Sequence, residues 1–229
     1  MLDLFIILSQ FVLISFLSCW LNLLYEENKS ELSFPHKYPP PWQWRSLKII
    51  SICLVIGMSV ACLLPDSSLA SRLLDIYGFS SSINHSTGSN FFFAIFSSFL
   101  LIMLWSDVEQ QIIMNSQLAL FAVFGLCFQL LVQPQELYIQ LATAFASGMI
   151  FLLLAILTRG GIGGGDIKLM AALGIWLSPN AMESVAVGGI MLGGLAALLA
   201  IIAKGKGRRD YIPYGPGFIV TALLAYLLQ

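Results

Sequence analysis

Eight apolar runs recur along this chain of 229 residues, and their repetition constrains the fold more than any other feature. About 20 consecutive apolar residues suffice for a helix to cross a bilayer. Because the mean hydropathy is +0.87 and only 10% of the residues are charged, a soluble domain is excluded. The sequence therefore predicts an all-α, polytopic bundle of transmembrane helices in contact with the lipid bilayer. The runs are Met1–Leu24, Leu47–Leu64, Phe91–Trp105, Leu118–Val132, Leu137–Leu157, Ile167–Leu177, Val185–Ala203 and Tyr211–Leu228.

The sixth run, Ile167–Leu177, has only 11 residues and is too short to cross the bilayer unaided. It is predicted to be a tilted, partial or re-entrant helix. The first run has Asp3 where a signal peptide is basic, so it is predicted to be an uncleaved membrane helix. Two parts are expected: residues 1–90, with membrane helices, a short cytoplasmic loop and an outer loop, and residues 91–229, a second membrane domain.

The distribution of basic residues predicts the orientation of the bundle. If Met1 lies outside, every Lys and Arg except Arg72 falls on the cytoplasmic side or at its boundary, as the positive-inside rule requires. The predicted cytoplasmic segments are residues 26–45, 106–116, 159–168 and 204–210.

Two aspartates lie at the predicted membrane edge. Asp107 follows the third apolar run, and Asp166 directly precedes the sixth, so both are expected at the inner face. A carboxylate placed there is costly to desolvate, which favours a functional role. Two carboxyl groups that share one proton can activate water, since one accepts a proton while the other donates. The alternative is structural, because Asp at a helix end often serves only as a cap.

Other polar and small residues are interpreted as structural. Gly189 and Gly193 are expected to allow close helix packing. The four cysteines lie in or beside apolar runs without Cys-x-x-Cys spacing, so they are predicted to be small buried side chains rather than zinc ligands or disulfides. Four further carboxylates are interpreted as solvated loop charges: Glu109, Glu136, Glu183 and Asp210.

The stretch Gly163-Gly164-Gly165-Asp166-Ile167-Lys168 resembles the second catalytic motif of the type IV prepilin peptidases, which are aspartic endopeptidases of the GxGD class. Ser106-Asp107, followed by Met114-Asn115, is similar to the first motif of that family, with Met114 at the usual proline. Ile212-Pro213-Tyr214-Gly215-Pro216-Gly217 resembles the segment that leads into the family's last helix. The resemblance extends over residues 91–229.

This resemblance implies cleavage of the basic leader from prepilin or pseudopilin precursors, at the cytoplasmic face of the bacterial inner membrane, for type IV pili or type II secretion. It implies that Asp107 and Asp166 are catalytic, and that neither a metal nor a nucleic acid is bound. Larger members carry paired Cys-x-x-Cys motifs that this chain lacks, so it resembles a short form. Methyl transfer, which would require S-adenosylmethionine, is therefore not expected. The implied supporting residues are Gly163, Gly165, Lys168, Asn115, Pro213, Gly215 and Pro216.

Two other functions fit the same residues. In a transporter, the carboxylates would bind cations or relay protons beside broken helices. In an inactive assembly factor of a pilus or secretion system, the bundle would remain and the chemistry would be lost, consistent with Met114 at the family's proline.

Overall fold

The computed structural model describes residues 2–28, 32, 48–49, 51–53, 55–56, 87–159, 161–204 and 214–227. Apart from short helical stretches between residues 48 and 56, these residues form seven α-helices and one turn of 3-10 helix at Pro134–Glu136. The helices are α1 (Leu2–Glu27), α2 (Thr87–Gln110), α3 (Asn115–Val132), α4 (Leu137–Leu157), α5 (Gly164–Trp176), α6 (Pro179–Lys204) and α7 (Gly215–Leu227).

The predicted all-helical membrane fold is confirmed. Over the described part of the chain there is no strand, and four stretches are long and apolar enough to cross a membrane. The second predicted run, Leu47–Leu64, lies largely outside the described residues. The four stretches are Ile6–Glu27, Phe91–Gln110, Asn115–Val132 and Pro134–Leu157.

The chain divides into two compact units, residues 1–110 with 227–229, and residues 111–226. The domain boundary predicted at residue 90 stays a prediction. In the first unit, α1 contacts α2, and the Gln10 amide donates a hydrogen bond of 3.1 Å to the Ser97 hydroxyl. Helix α2 is more buried than α1, since 83% of its apolar window is buried against 28% for that of α1.

Helix α2 continues to Gln110, beyond the end of the apolar run at Trp105. The predicted connector at residues 106–116 is therefore too long at its start, because residues 106–110, most of them buried and polar, extend the helix by more than one turn. Asp107 consequently lies in the last turn of a helix and not in a loop. The prediction of buried cysteines is wrong for Cys19 and Cys53, which are exposed.

In the second unit, α5 packs against both α3 and α4. Lys168 bonds Asn115 and Trp176 bonds Phe121, so α5 and α3 run in the same direction. Ala171 faces Gly148, whereas Gly174, later in α5, faces the earlier Ala144, so α5 and α4 run in opposite directions.

Helix α5 is short, as predicted, and its 13 residues give a length of about 20 Å. A helix that ends in apolar surroundings leaves backbone carbonyl groups without donors, which is costly. Gln129 of α3 donates to the carbonyl of Ile175 at 2.8 Å. Gln140 of α4, with its amide nitrogen turned inward, donates to the carbonyls of Gly174 and Leu177. Two glutamines thus satisfy the carboxyl end of α5.

Helices α6 and α7 make the close contact predicted for Gly189 and Gly193. A Cβ atom at Gly189 would lie 2.1 Å from the Phe218 ring, and one at Gly193 would lie 2.3 Å from the Tyr214 ring. Glycine is required here because two aromatic rings occupy the space of its missing side chain.

Replacing Gln129 by Leu should destabilise the protein, because the carbonyl of Ile175 would lose its donor inside the bundle. We expect a loss of about 1–2 kcal/mol, measured as a lower thermal midpoint in detergent micelles. Gln135→Leu is the matched control, since Gln135 is exposed in the 3-10 turn. Equal midpoints for the two variants would contradict the capping role of Gln129.

Replacing Gly174 by Ala should separate α5 from α4, since the added Cβ would lie 2.6 Å from the Cα atom of Ala144. We expect a loss of about 1–3 kcal/mol in unfolding free energy. Gly194→Ala is the control, because no atom lies within 4 Å of a Cβ there. That variant should be neutral or more stable by up to about 1 kcal/mol, from helix propensity. Thermal unfolding of both variants decides, and a stable Gly174→Ala protein would refute the close contact.

Candidate active site

Asp166 lies in the first turn of α5, three residues after Gly163, the N-cap residue. Its backbone N–H donates to the Gly163 carbonyl at 3.1 Å, and its side chain is buried, with 3% exposure. Among the described residues, its Oδ2 atom has no hydrogen-bond partner. A buried carboxyl oxygen of this kind is an available acceptor for water or substrate.

The ionisation of Asp166 is set by its surroundings. Asp166 lies outside the four candidate membrane spans. Burial raises its pKa from the ordinary 3.8 to about 6, against a smaller, opposite effect of a backbone hydrogen bond with Gly163. Near neutral pH, Asp166 therefore takes up a proton more readily than an exposed aspartate does. A carboxyl group of this kind suits proton transfer.

The glycines before Asp166 provide space. Gly163 has φ −69° and ψ 147°, an extended conformation open to any residue. A Cβ atom at Gly164 would meet nothing within 4 Å, and one at Gly165 would make ordinary contact with Ile113 at 3.5 Å. The expectation that Gly163 and Gly165 shape a sharp turn stays a prediction. What the structure shows is open space beside Gly164, two residues before Asp166 in the first turn of α5.

Lys168 and Asn115 connect the two predicted motifs. The Lys168 ammonium group donates to the Asn115 Oδ1 atom at 2.7 Å. Asn115 is the first residue of α3, so the bond joins the starts of α3 and α5. The two supporting residues are therefore brought together, although they are 53 positions apart.

Met114, which replaces the proline of the first motif, keeps a backbone that proline would accept. It is the N-cap residue of α3, with φ −75° and ψ 139°. Proline fixes φ near −65° with a spread of about 15°, so Met114 adopts the same conformation without the ring. The local backbone therefore gives no reason to regard the first motif as broken.

Asp107 is buried in the last turn of α2, with 3% exposure. The neighbouring Ser106 hydroxyl donates to the Met103 carbonyl at 3.0 Å. Asp107 belongs to the first compact unit and Asp166 to the second, and the prediction that they form a pair stays a prediction.

Glu109 was wrongly expected to be a solvated loop charge. Its side chain is 5% exposed and lies 2.7 Å from the Lys48 ammonium group. The only hint in the sequence is that Glu109 lies two residues after Asp107. Hydropathy alone cannot distinguish a charged residue in the last turn of a helix from one in a loop. Glu136 and Glu183 are exposed, as expected, but Glu183 lies in α6 and not in a loop, while Asp210 lies outside the described residues.

The third motif is described only in part. Pro213 lies outside the described residues, and Gly215 and Pro216 are the first two residues of α7. Proline is tolerated there because the first turn of a helix has no partner for its missing N–H. The Tyr214 carbonyl accepts from the N–H groups of Gly217 and Phe218, which closes this turn. The contribution of these residues to a catalytic wall stays a prediction.

No group of three or more His, Cys, Asp or Glu side chains in the described ranges could hold a metal ion. The expectation of a site without metal or other cofactor stays a prediction.

The fold and these residues define a class: a helical membrane protein with buried carboxyl groups at helix ends and a short helix beginning at a glycine-rich segment. Comparison with known proteins agrees with this class, because residues 94–204 match the type IV leader peptidase family. That segment contains both Asp107 and Asp166. Over this segment the chain is thus similar to the type IV leader peptidases.

Several relatives share the name prepilin leader peptidase/N-methyltransferase. The Bacillus subtilis protein is 31% identical over 134 residues, covering 58% of this chain and 54% of the relative. The Neisseria gonorrhoeae protein is 29% identical over 139 residues, covering 58% and 46%. The Legionella pneumophila protein is 23% identical over 222 residues, covering 87% and 75%. The chain thus spans about half the length of the first two relatives. No solved structure matches at a significant level.

Asp166 predicts a pH-dependent stability. Because its pKa in the folded protein is raised to about 6, ionising it destabilises the fold. This penalty is absent below the ordinary pKa of 3.8, grows as the pH rises, and is complete above about pH 6. Asp166→Asn, which stays neutral, should therefore be more stable than wild type at about pH 8, by roughly 2–3 kcal/mol, and equally stable at about pH 4.

Thermal unfolding in detergent at the two pH values measures this difference. Glu136→Gln is the control, because Glu136 is exposed and its neutralisation should change little at either pH. A difference for Asp166→Asn that is the same at both pH values would contradict the raised pKa.

Proposed function

We propose that this protein is an aspartic endopeptidase that removes the basic leader from prepilin or pseudopilin precursors. The observation that carries the proposal is the family match over residues 94–204, which includes both aspartates of the predicted motifs. The names of the three relatives support the same reaction. Since a basic leader is retained in the cytoplasm, the scissile bond would lie at the cytoplasmic face of the bacterial inner membrane, in type IV pilus or type II secretion systems.

In the proposed mechanism, Asp107 and Asp166 act as a pair on one water molecule. One carboxylate accepts a proton from the water, which attacks the scissile carbonyl carbon, while the other, protonated carboxyl group donates to the carbonyl oxygen. Proton transfer to the amine then releases the leader. The burial of both side chains supports this role, because shielding from bulk water strengthens their electrostatic effect on the reaction.

Three features of the second unit support the assignment of Asp166. Its Oδ2 atom is an available acceptor among the described residues, and burial raises its pKa towards neutrality. Open space beside Gly164 would let an extended substrate backbone approach the first turn of α5, which carries Asp166. The bond between Lys168 and Asn115 would hold the start of α5, and with it Asp166, in place.

The proposal is restricted to the peptidase reaction. The relatives' names include N-methyltransferase, but this sequence has no Cys-x-x-Cys pair, which the resemblance associates with methyl transfer. We propose no methyl transfer and therefore no use of S-adenosylmethionine.

Substitution of either aspartate tests the mechanism. Asp107→Asn and Asp166→Asn should each reduce prepilin cleavage on the order of 100-fold to 10,000-fold, because each removes one partner in proton transfer. Glu183→Gln, at an exposed carboxylate, is the control and should cleave like wild type. Purified variants in proteoliposomes are mixed with a prepilin, and the product masses are measured. The same spectrum reports methyl addition as a gain of one methyl group.

Cleavage by both Asn variants at the wild-type rate would refute the aspartic mechanism. Absence of cleavage by folded wild-type protein would instead favour the inactive assembly factor. Each comparison requires equal amounts of folded protein, measured by size-exclusion chromatography.

A further inference from the structure

Glu109 lies at the centre of a partly buried polar cluster in the first unit, which we define as Tyr25, Lys48, Trp105 and Glu109. The Lys48 ammonium group lies 2.7 Å from Glu109 Oε1, and the two side chains are 19% and 5% exposed. The Tyr25 hydroxyl donates to Glu109 Oε2 at 3.4 Å. The carboxylate thus forms an ion pair with Lys48 through one oxygen and a long hydrogen bond with Tyr25 through the other.

Trp105 makes a second set of contacts between α2 and the stretch around Lys48, in addition to the ion pair with Glu109. The Lys48 ammonium group lies over the Trp105 ring, 5.1 Å from its centroid. This distance is within the range of a cation–π interaction. The indole N–H of Trp105 donates to the Ser51 hydroxyl at 3.0 Å. Lys48 and Ser51 thus contact successive turns at the end of α2.

The cluster acts on the turn that contains Asp107. Trp105 lies two residues before Asp107, and Glu109 lies two residues after it. Helix α2 ends at Gln110. The last turn of a helix lacks part of its hydrogen bonds and opens easily. Contacts from α1 and from the Lys48 stretch therefore restrict the rotation and the opening of the turn that carries Asp107.

Stability alone does not account for this arrangement. A buried ion pair is often no more stabilising than well-packed apolar residues of the same size, because desolvation offsets the attraction. Its geometry is nevertheless specific, since Glu109 must face both Lys48 and Tyr25. A cluster of this kind fixes a position more effectively than it adds stability.

From this geometry we propose that Lys48 and Tyr25 are positioning residues, which hold Glu109 and thereby orient Asp107 for catalysis. The proposal rests on the proposed function, because it assigns Asp107 to the reaction. Neither Lys48, Tyr25 nor Glu109 reacts with substrate. Their contacts increase the fraction of molecules in which the turn that carries Asp107 is correctly placed.

The principal test compares Lys48→Met with Lys48→Arg, because methionine removes the charge and arginine keeps it. For Lys48→Met we expect kcat for prepilin cleavage to fall about 10-fold to 100-fold, with KM changed less than about twofold, since misplacement of a catalytic group lowers the chemical rate. Lys48→Arg should retain most of the wild-type kcat. A purely structural role would lower the amount of folded protein without this split between kcat and KM.

Hydrogen exchange gives a second measurement that is independent of cleavage. In Lys48→Met, the backbone amides of residues 106–110 should exchange about tenfold faster or more than in wild type, because local opening becomes easier. Amides of α3 and α5 should be unchanged. The variant Lys48→Met/Glu109→Gln, which leaves no buried charge without its partner, should be well folded and show the same faster exchange.

Gln10→Leu is the matched control. It removes the hydrogen bond between Gln10 and Ser97, which also joins α1 to α2 but lies ten residues before Asp107. Its kcat and its exchange at residues 106–110 should match wild type.

Two results would overturn the proposal. One is wild-type exchange at residues 106–110 in both Lys48→Met and the double variant. The other is a raised KM with unchanged kcat, which would make the cluster a substrate-binding site. If wild-type protein cleaves no prepilin, the proposed function fails by itself, and the exchange experiment still decides whether the cluster holds the Asp107 turn.

Discussion

The structure of the second unit depends on how the short helix α5 satisfies its polar ends in apolar surroundings. A polar backbone group without a partner there is costly, so a helix of 13 residues is stable only if other helices supply donors. Gln129 and Gln140 supply them at the carboxyl end, and Lys168 joins the amino end to Asn115 of α3. The same amino end carries Asp166. The two glutamines thus stabilise one end of this short helix, and the bond between Lys168 and Asn115 links the other end, which carries Asp166, to α3.

The first unit shows the same principle with charges. Glu109 is buried next to Asp107, and it is tolerated because Lys48 and Tyr25 reach it from other segments. In both units, then, a candidate catalytic aspartate lies in a terminal helical turn, and polar side chains from neighbouring segments bind that turn. A helix end is the position where a carboxyl group can be buried and still face water or substrate. Fixation by remote side chains limits the opening to which such a turn is prone.

Much of this could be predicted from local patterns. Apolar runs identified the all-helical membrane class, and the spacing of glycines around Asp166 pointed to the family that residues 94–204 match. The close packing at Gly189 and Gly193 also followed from a local pattern, because small residues one turn apart form a groove on any helix. Glu109 could not be interpreted correctly in this way, since a charge after an apolar run looks like the start of a loop. Met114 was equally ambiguous, because only its backbone angles show that it keeps the conformation of a proline.

The sequence by itself therefore determined the membrane class, the helical fold, the similarity of residues 94–204 to a peptidase family and the positions of the two aspartates. These properties depend on hydropathy and on motifs within a few residues, which act wherever the chain is placed. Only the tertiary structure decided that Glu109 is buried, that Lys168 meets Asn115, and that two glutamines end α5. Each of these results pairs groups that are remote in the chain, and whether a polar group is buried at tolerable cost depends on the partner that folding brings to it.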